Sequence, residues 1–314
     1  MATPPSKPSP LLDPQYDASP PGFDFDPDEL ESPEQLEALL LEIFRSPEYR
    51  PPVLPAVAVE FTNLSRNTSA SYDEVVAVLQ KDPLIVAGVL KMAQSPLYGG
   101  RLPLQSLKDA VQRLGLNTLR DVVWQVVANL RLFHVKSYTK FMERLQSHCM
   151  FMAHAARLVA TRAGIAAEHA FLCGLLHDVG ISGTLIAIAD SGRKAPALEF
   201  LLPAIHGMHE EAGAHIAKLW QLAPEIASAV GQHHQFDWNR NMPGLIAVLC
   251  VAESLADKFG YAIVDAPATG SLRDYGFDTQ TAPRLEQAMK RLRLLGKEDD
   301  LHSRTEQLVE RLRS

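Results

Sequence analysis

The chain has 314 residues, 46% apolar and 21% charged, enough to bury one large core or two smaller ones and too apolar for disorder throughout. No uninterrupted apolar run approaches the roughly 18 residues of a membrane span, the N-terminus lacks the apolar stretch of a secretory signal, and Cys149, Cys173 and Cys250 lie far apart without a CxxC pair; these features predict a reducing cytoplasm and no membrane insertion. The net charge of −7 is carried by residues 1–44, which hold ten acids against one base, while the rest is close to neutral and disfavours nucleic acid as the main partner.

Residues 1–31 carry eight prolines and few large apolar groups and are expected to form a disordered acidic arm. Phe23 and Phe25 lie among its acids, a pattern of solvated linkers and also of short docking motifs. Order is expected from Ser32-Pro33-Glu34-Gln35, where a hydroxyl cap precedes proline at the first helical position and glutamine follows three residues after the cap. Leu36, Leu39, Leu40 and Ile43 continue at helical spacing, and Pro47, Pro51, Pro52 and Pro55 end this helix and its linker (32–52). The domain proper is expected over 53–260.

Within that span Val57, Phe61 and Leu64 share a helical face. Ser71-Tyr72-Asp73-Glu74 opens the next helix, and Asp82-Pro83 caps another carrying Ile85, Val89 and Met92. A loop is expected at Ser95-Pro96 and Gly99-Gly100. Ser106 opens a helix that should stop at Gly115, with Asn117 capping its successor. The stretch 107–123 has helix–turn–helix spacing, but without a basic recognition face it reads as two packed helices. Helical periodicity continues over 140–163, 168–180, 209–220, 224–235 and 243–259, and no period-2 pattern appears. The expectation is an all-α, multi-helix bundle. Residues 261–314 should form a loop over 261–282 and two amphipathic helices near 283–295 and 303–313.

Ten of eleven histidines fall between His134 and His234. The strongest local signal is Gly174-Leu175-Leu176-His177-Asp178-Val179-Gly180. It sets a neutral nitrogen donor beside an anionic oxygen able to bridge two ions, at the end of an apolar helix. A capping aspartate beside a hydrogen-bonded histidine would give the same dipeptide. Further candidates are His148 in a long helix, His209 at the opening of another, and the pair His233-His234 at a helix C-terminus. Glu253 is the late acid, with Asp257 on the same face as its rival. His206 reads as a surface residue that could also support His209; His154, His169 and His215 read as ordinary. Trp124 and Trp220 read as core. Arg120 and Lys91 fit a phosphate pocket or a solvated face equally. No Gly-rich phosphate loop occurs, and Ser182 and Ser191 lack a triad context.

The order His148…His177-Asp178…His209…His233-His234…Glu253 resembles the HD superfamily of metal-dependent phosphohydrolases. More specifically, Leu54-Pro55-Ala56-Val57, Lys81-Asp82-Pro83-Leu84, Val89-Leu90-Lys91-Met92-Ala93-Gln94-Ser95, Ser106-Leu107-Lys108-Asp109-Ala110 and Leu114-Gly115-Leu116-Asn117-Thr118-Leu119-Arg120 resemble, in order, the signature of the HDOD domain, a bacterial relative of HD and HD-GYP proteins. That resemblance implies a signal-transduction module, often without hydrolytic activity, acting through a protein partner or a nucleotide-like ligand. Its alternative is a metal-dependent phosphohydrolase acting on a nucleotide. Against the cyclic-dinucleotide enzymes, Ile181 stands where they have Lys, and 182–200 contains no Gly-Tyr-Pro. His148, His177, Asp178, His209, His233, His234 and Glu253 form the expected metal site, suited to Fe, Mn, Zn or Ni.

Overall fold

The structure, a computed structural model, describes residues 32–46, 49, 51–65, 70–99, 104, 106–190, 195–234, 243–263 and 282–313. The arm expected at 1–31, with Phe23 and Phe25, and nearly all of the loop expected at 261–282 lie outside the described residues. Among the described residues no strand occurs, and the fold is all-helical.

Helix α1 (Pro33–Arg45) starts as its sequence dictates: the Ser32 hydroxyl accepts from the Gln35 N–H at 3.4 Å, with proline in the first turn. It lies along α9 (Leu198–Leu219), burying Leu36, Leu40 and Phe44. Four helices then form the N-terminal half: α2 (Ala56–Ser65), α3 (Tyr72–Leu79), α4 (Pro83–Ala93) and α5 (Leu107–Arg131). Ser71 and Glu74 complete a reciprocal capping box on α3, and Asp82 accepts from the Leu84 and Ile85 N–H groups at 2.9 and 3.2 Å. The α5 span breaks at Gly115, whose φ of 68° and ψ of 163° are not helical. Asn117 is not an N-cap: Gly115 alone has non-helical angles in this span, so Asn117 already lies inside the helix, where its amide oxygen accepts from Arg120 at 2.9 Å. Both sides of the break bury apolar faces, with Leu107, Val111 and Leu114 before it and Leu119, Val122 and Val123 after it.

The C-terminal half comprises α6 (Thr139–Ala163), α7 (Ala167–Leu176), α8 (Val179–Asp190), α9, α10 (Pro224–Val230) and α11 (Gly244–Phe259); α12 (Ala282–Arg291) and α13 (Glu298–Arg313) close the chain. A polar seam joins the halves where α5 meets α6 and α7. Arg157 pairs with buried Asp121 and lies 4.7 Å above the Phe171 ring centroid. Beside them the Gln125 amide donates to the Tyr98 hydroxyl at 2.6 Å and lies 3.4 Å from His154 Nε2.

Two further sequence expectations are corrected. His209 does not open a helix: α9 begins eleven residues earlier, because Leu201, Leu202, Ile205 and Met208 already bury a continuous face and Pro203 is accommodated inside the helix. The helix expected over 168–180 is interrupted at His177-Asp178, and residues 179–190 form the separate helix α8; nearly every position in it is buried, so its sequence carries no polar stripe. One apolar stretch, His169–Asp190, is long enough by length and composition to cross a membrane, but 89% of its most apolar window is packed inside the protein. The helix pair interrupted by His177-Asp178 is the centre of the core.

Candidate metal centre

The site forms where five helix-borne segments meet around the α7–α8 junction. His177 follows the last residue of α7 and Asp178 precedes the first of α8, so both side chains leave the chain where its helical path breaks. Two glycines let other helices come this close. A Cβ on Gly174 would run into the backbone of Met152 on α6, and one on Gly180 would strike the backbone carbonyl of His209 on α9. These contacts bring His148, on α6, and His209 to the His-Asp pair. Helix α10 ends just before His233-His234, and α11 carries Glu253.

Four imidazoles share one design. Nδ1 of His148 lies 2.7 Å from the Tyr261 carbonyl, that of His177 2.9 Å from Gly174 O, that of His209 2.8 Å from His206 O, and that of His233 2.7 Å from Val230 O. An N–H donated from Nδ1 to each carbonyl fixes the tautomer and leaves the Nε2 lone pair pointing inward. These inward nitrogens meet one another and the Asp178 carboxylate. His148 Nε2 is 3.0 Å from His177 Nε2. Oδ2 of Asp178 lies 3.1 Å from His177 Nε2 and 3.7 Å from His148 Nε2, while Oδ1 lies 3.4 Å from His233 Nε2 and 3.7 Å from His209 Nε2. The two oxygens therefore serve different histidine pairs. Glu253 joins the first group, its oxygens 3.6 Å from His148 Nε2 and 3.7 Å from His177 Nε2. His234 joins the second.

The donor set fits a cation. Asp178 Oδ1, His209 Nε2 and His233 Nε2 are buried without a hydrogen-bond partner, a costly arrangement unless a positive charge completes it. Burial opposes charge on His177, but the carboxylates of Asp178 and Glu253 outweigh it and hold its pKa at about 9. A proton there stands in for a cation. Burial works against the Asp178 carboxylate too, yet His177, His233 and His209 hold it well below the usual range. Burial pushes His209 down to about 4 and, with the neighbouring imidazoles, takes His234 well below its ordinary value, which keeps both rings in the neutral form that ligates metals.

The side chains of all seven sequence candidates gather here; Glu253 lies beside His148 and His177, whereas Asp257 is exposed. His206 sits behind the centre, its ring 5.7 Å from that of His209 and 6.3 Å from that of His234. Two residues escaped the sequence reading. Buried Glu210 accepts from the His234 N–H at 2.7 Å and lies 3.5 Å from His233 Nδ1. Buried Arg284, on α12, donates to the carbonyls of both His233 and His234. Glu210 had one local signal, its position beside His209; Arg284, fifty residues from the histidines it grips, had none.

The described helices close around a His-Asp pair and converging histidines. Residues 52–236 match the HDOD domain, and the chain belongs to that family. Among solved structures it is similar to an HDOD domain protein of unknown function from Geobacter sulfurreducens (TM-score 0.58, 18% identity, 88% of this chain and 97% of that one). It is also similar to a Shewanella amazonensis protein provisionally named a metal-dependent phosphohydrolase (TM-score 0.61, 20% identity, 84% and 100%). Among curated proteins it is 25% identical over 195 residues to an uncharacterized protein of Treponema pallidum, covering 58% of this chain and 37% of that protein. It is 28% identical over 149 residues to ribonuclease Y of Aliarcobacter butzleri, covering 48% and 24%. The match thus spans well under half the length of these curated relatives.

Proposed function

We propose that the protein is an HDOD-type signalling module whose buried centre holds one or two divalent ions through His148, His177, Asp178, His209, His233, His234 and Glu253. It acts by binding a protein partner or nucleotide-like ligand, with its domain over 53–260. The observation that carries the metal reading is the division of Asp178 between two histidine pairs, with unpartnered Nε2 lone pairs on the second. Nitrogen donors with few oxygens favour Fe, Mn, Zn or Ni over Ca or Mg. Regulation is preferred to turnover because Ile181, directly after the His-Asp-Val-Gly segment, is wholly buried and supplies no cation for a phosphate.

The second reading, a metal-dependent phosphohydrolase acting on a nucleotide, is favoured by the completeness of the donor set. Bound ions would supply Lewis acidity and a water of lowered pKa. In that reading the four Nδ1–H···O=C bonds hold the imidazoles in register, Asp178 fixes the spacing of the two groups, and the surrounding apolar helices exclude bulk water. Metal analysis of protein purified without added metal, joined to a phosphodiesterase assay on the same sample, tests both. Stoichiometric metal without hydrolysis is the expected result, and hydrolysis at a useful rate would replace the first reading by the second. Asp178→Ala should remove the metal from both groups at once; retained stoichiometric metal in that variant would assign the ion elsewhere.

A further inference from the structure

The C-terminal helices lie outside the span that matches the HDOD domain, residues 52–236, yet they contact ligand-bearing segments at three places. Helix α12 packs on α11, the helix of Glu253, burying Ala288, Met289 and Leu292. Helix α13 packs on α6, the helix of His148, and adds an ion pair from Asp300 to Arg162 at 2.6 Å. The third contact is the most specific. Arg284 is only 3% exposed, and its Nη1 and Nη2 donate to the consecutive carbonyls of His234 and His233.

Carbonyls at a helix C-terminal end lack intrahelical donors. The planar, forked guanidinium satisfies two at once, and its charge complements the negative end of the helix dipole. On the other side of the same corner, Glu210 accepts from the His234 N–H at 2.7 Å, and the Val230 carbonyl orients the His233 ring. Arg284 and Glu210 thus clamp the backbone of two adjacent candidate ligands between α12 and α9. Their side-chain direction follows from where that backbone is held.

We infer that α12 and α13 form a latch on the metal centre, with Arg284 as the positioning residue that sets the His233–His234 corner. This rests on the reading of the centre as a metal site. It makes metal affinity conditional on the docking of a segment appended to the HDOD domain: whatever lifts α12 releases the second histidine group and unpacks the helix carrying Glu253. A signal received at the C-terminal helices would reach the metal by this route, and metal loading would in turn tighten their docking, since coupling between sites is reciprocal.

The test uses the full chain, metal-free, titrated with Mn²⁺ for affinity and with Co²⁺ for the d–d absorption that reports ligand geometry. Wild type is compared with Arg284→Ala and Arg284→Lys, and circular dichroism of each metal-free protein checks folding. Arg284→Ala should bind Mn²⁺ about tenfold or more weakly, the scale seen when groups supporting metal ligands are removed, and should alter the Co²⁺ spectrum. Arg284→Lys, which keeps the charge but reaches one carbonyl at a time, should fall between the two. Unchanged affinity and spectrum in a folded Arg284→Ala overturn the latch and leave the metal reading intact. If Arg284→Ala does not fold, Arg284→Lys decides: wild-type affinity with a wild-type Co²⁺ spectrum overturns the latch. A wild-type protein that binds neither ion overturns the metal reading, and the latch with it.

Discussion

Two buried histidines show how neighbours decide what an imidazole does. His177 has two carboxylates within reach, which in the metal-free centre raise its pKa to about 9 against the effect of burial. His154 lies in the seam against Tyr98, Gln125 and Phe171, with no carboxylate among these contacts, and burial lowers its pKa to about 4. His154 is therefore neutral in the fold but takes up a proton below about pH 6.5 once unfolded. Between roughly pH 6.5 and 4 the unfolded chain binds the extra proton, so stability falls with falling pH across that window and flattens below it. The full effect is about 3 kcal/mol at one pKa unit per 1.36 kcal/mol. Denaturant unfolding of wild type and His154→Phe, repeated from pH 7.5 to 4, measures it. The variant should show a visibly shallower decline, and parallel pH profiles for the two proteins would rule this role out.

At the scale of helices, glycines at the α7–α8 junction set how near the ligand-bearing elements stand. Gly180 and Gly183 are one turn apart on α8 but face different neighbours. A methyl on Gly180 would meet the backbone of α9 at His209, which cannot yield without moving the helix. A methyl on Gly183 would meet chiefly the terminal carbon of the Ile216 side chain, which can rotate. Alanine gains up to about 1 kcal/mol in helix propensity at either position. Gly183→Ala should thus be near neutral, while Gly180→Ala should lose about 1–3 kcal/mol by overpacking and weaken metal binding by displacing His209. Equal melting temperatures and metal affinities for the two variants would refute the assignment. This contrast also marks what a sequence can disclose. The caps at Ser32, Ser71, Asp82 and Ser106 and the break at Gly115 depend on residues a few positions apart, and each was readable. The existence of α8 was not, because a helix buried on most faces loses the polar stripe that announces it, and the early start of α9 was hidden by Pro203, a residue that ordinarily ends a helix. Arg284 was invisible for a related reason: its partners are backbone carbonyls fifty residues away, and carbonyls leave no trace in side-chain pattern.

For the molecule as a whole, the question is whether the half without candidate ligands senses the half with them. The apolar core is continuous from Leu36 on α1 to Val309 on α13, and the seam between the halves contains Arg157 paired with buried Asp121, together with Gln125, Tyr98 and His154. Opening that seam would break the Arg157–Asp121 pair and expose the continuous apolar core to water. The halves should therefore unfold together. Metal bound at the proposed centre stabilises the native state by RT ln(1 + [L]/Kd), about 2.7 kcal/mol at a hundredfold excess over Kd. If unfolding is shared, that stabilisation reaches amides that never approach the metal. Hydrogen exchange of the core amides of Val122 and Val127 on α5 should slow about 100-fold on adding Mn²⁺ to that excess. Amides of α6 around Cys149 should slow by the same factor. Protection confined to the C-terminal half, with Val122 and Val127 unchanged, would mean that the halves open independently and that the seam transmits nothing. Arg157→Met supplies the complementary test, because it removes the guanidinium from the seam without touching the centre. In that variant the response of the α5 amides to Mn²⁺ should shrink while that of the α6 amides persists.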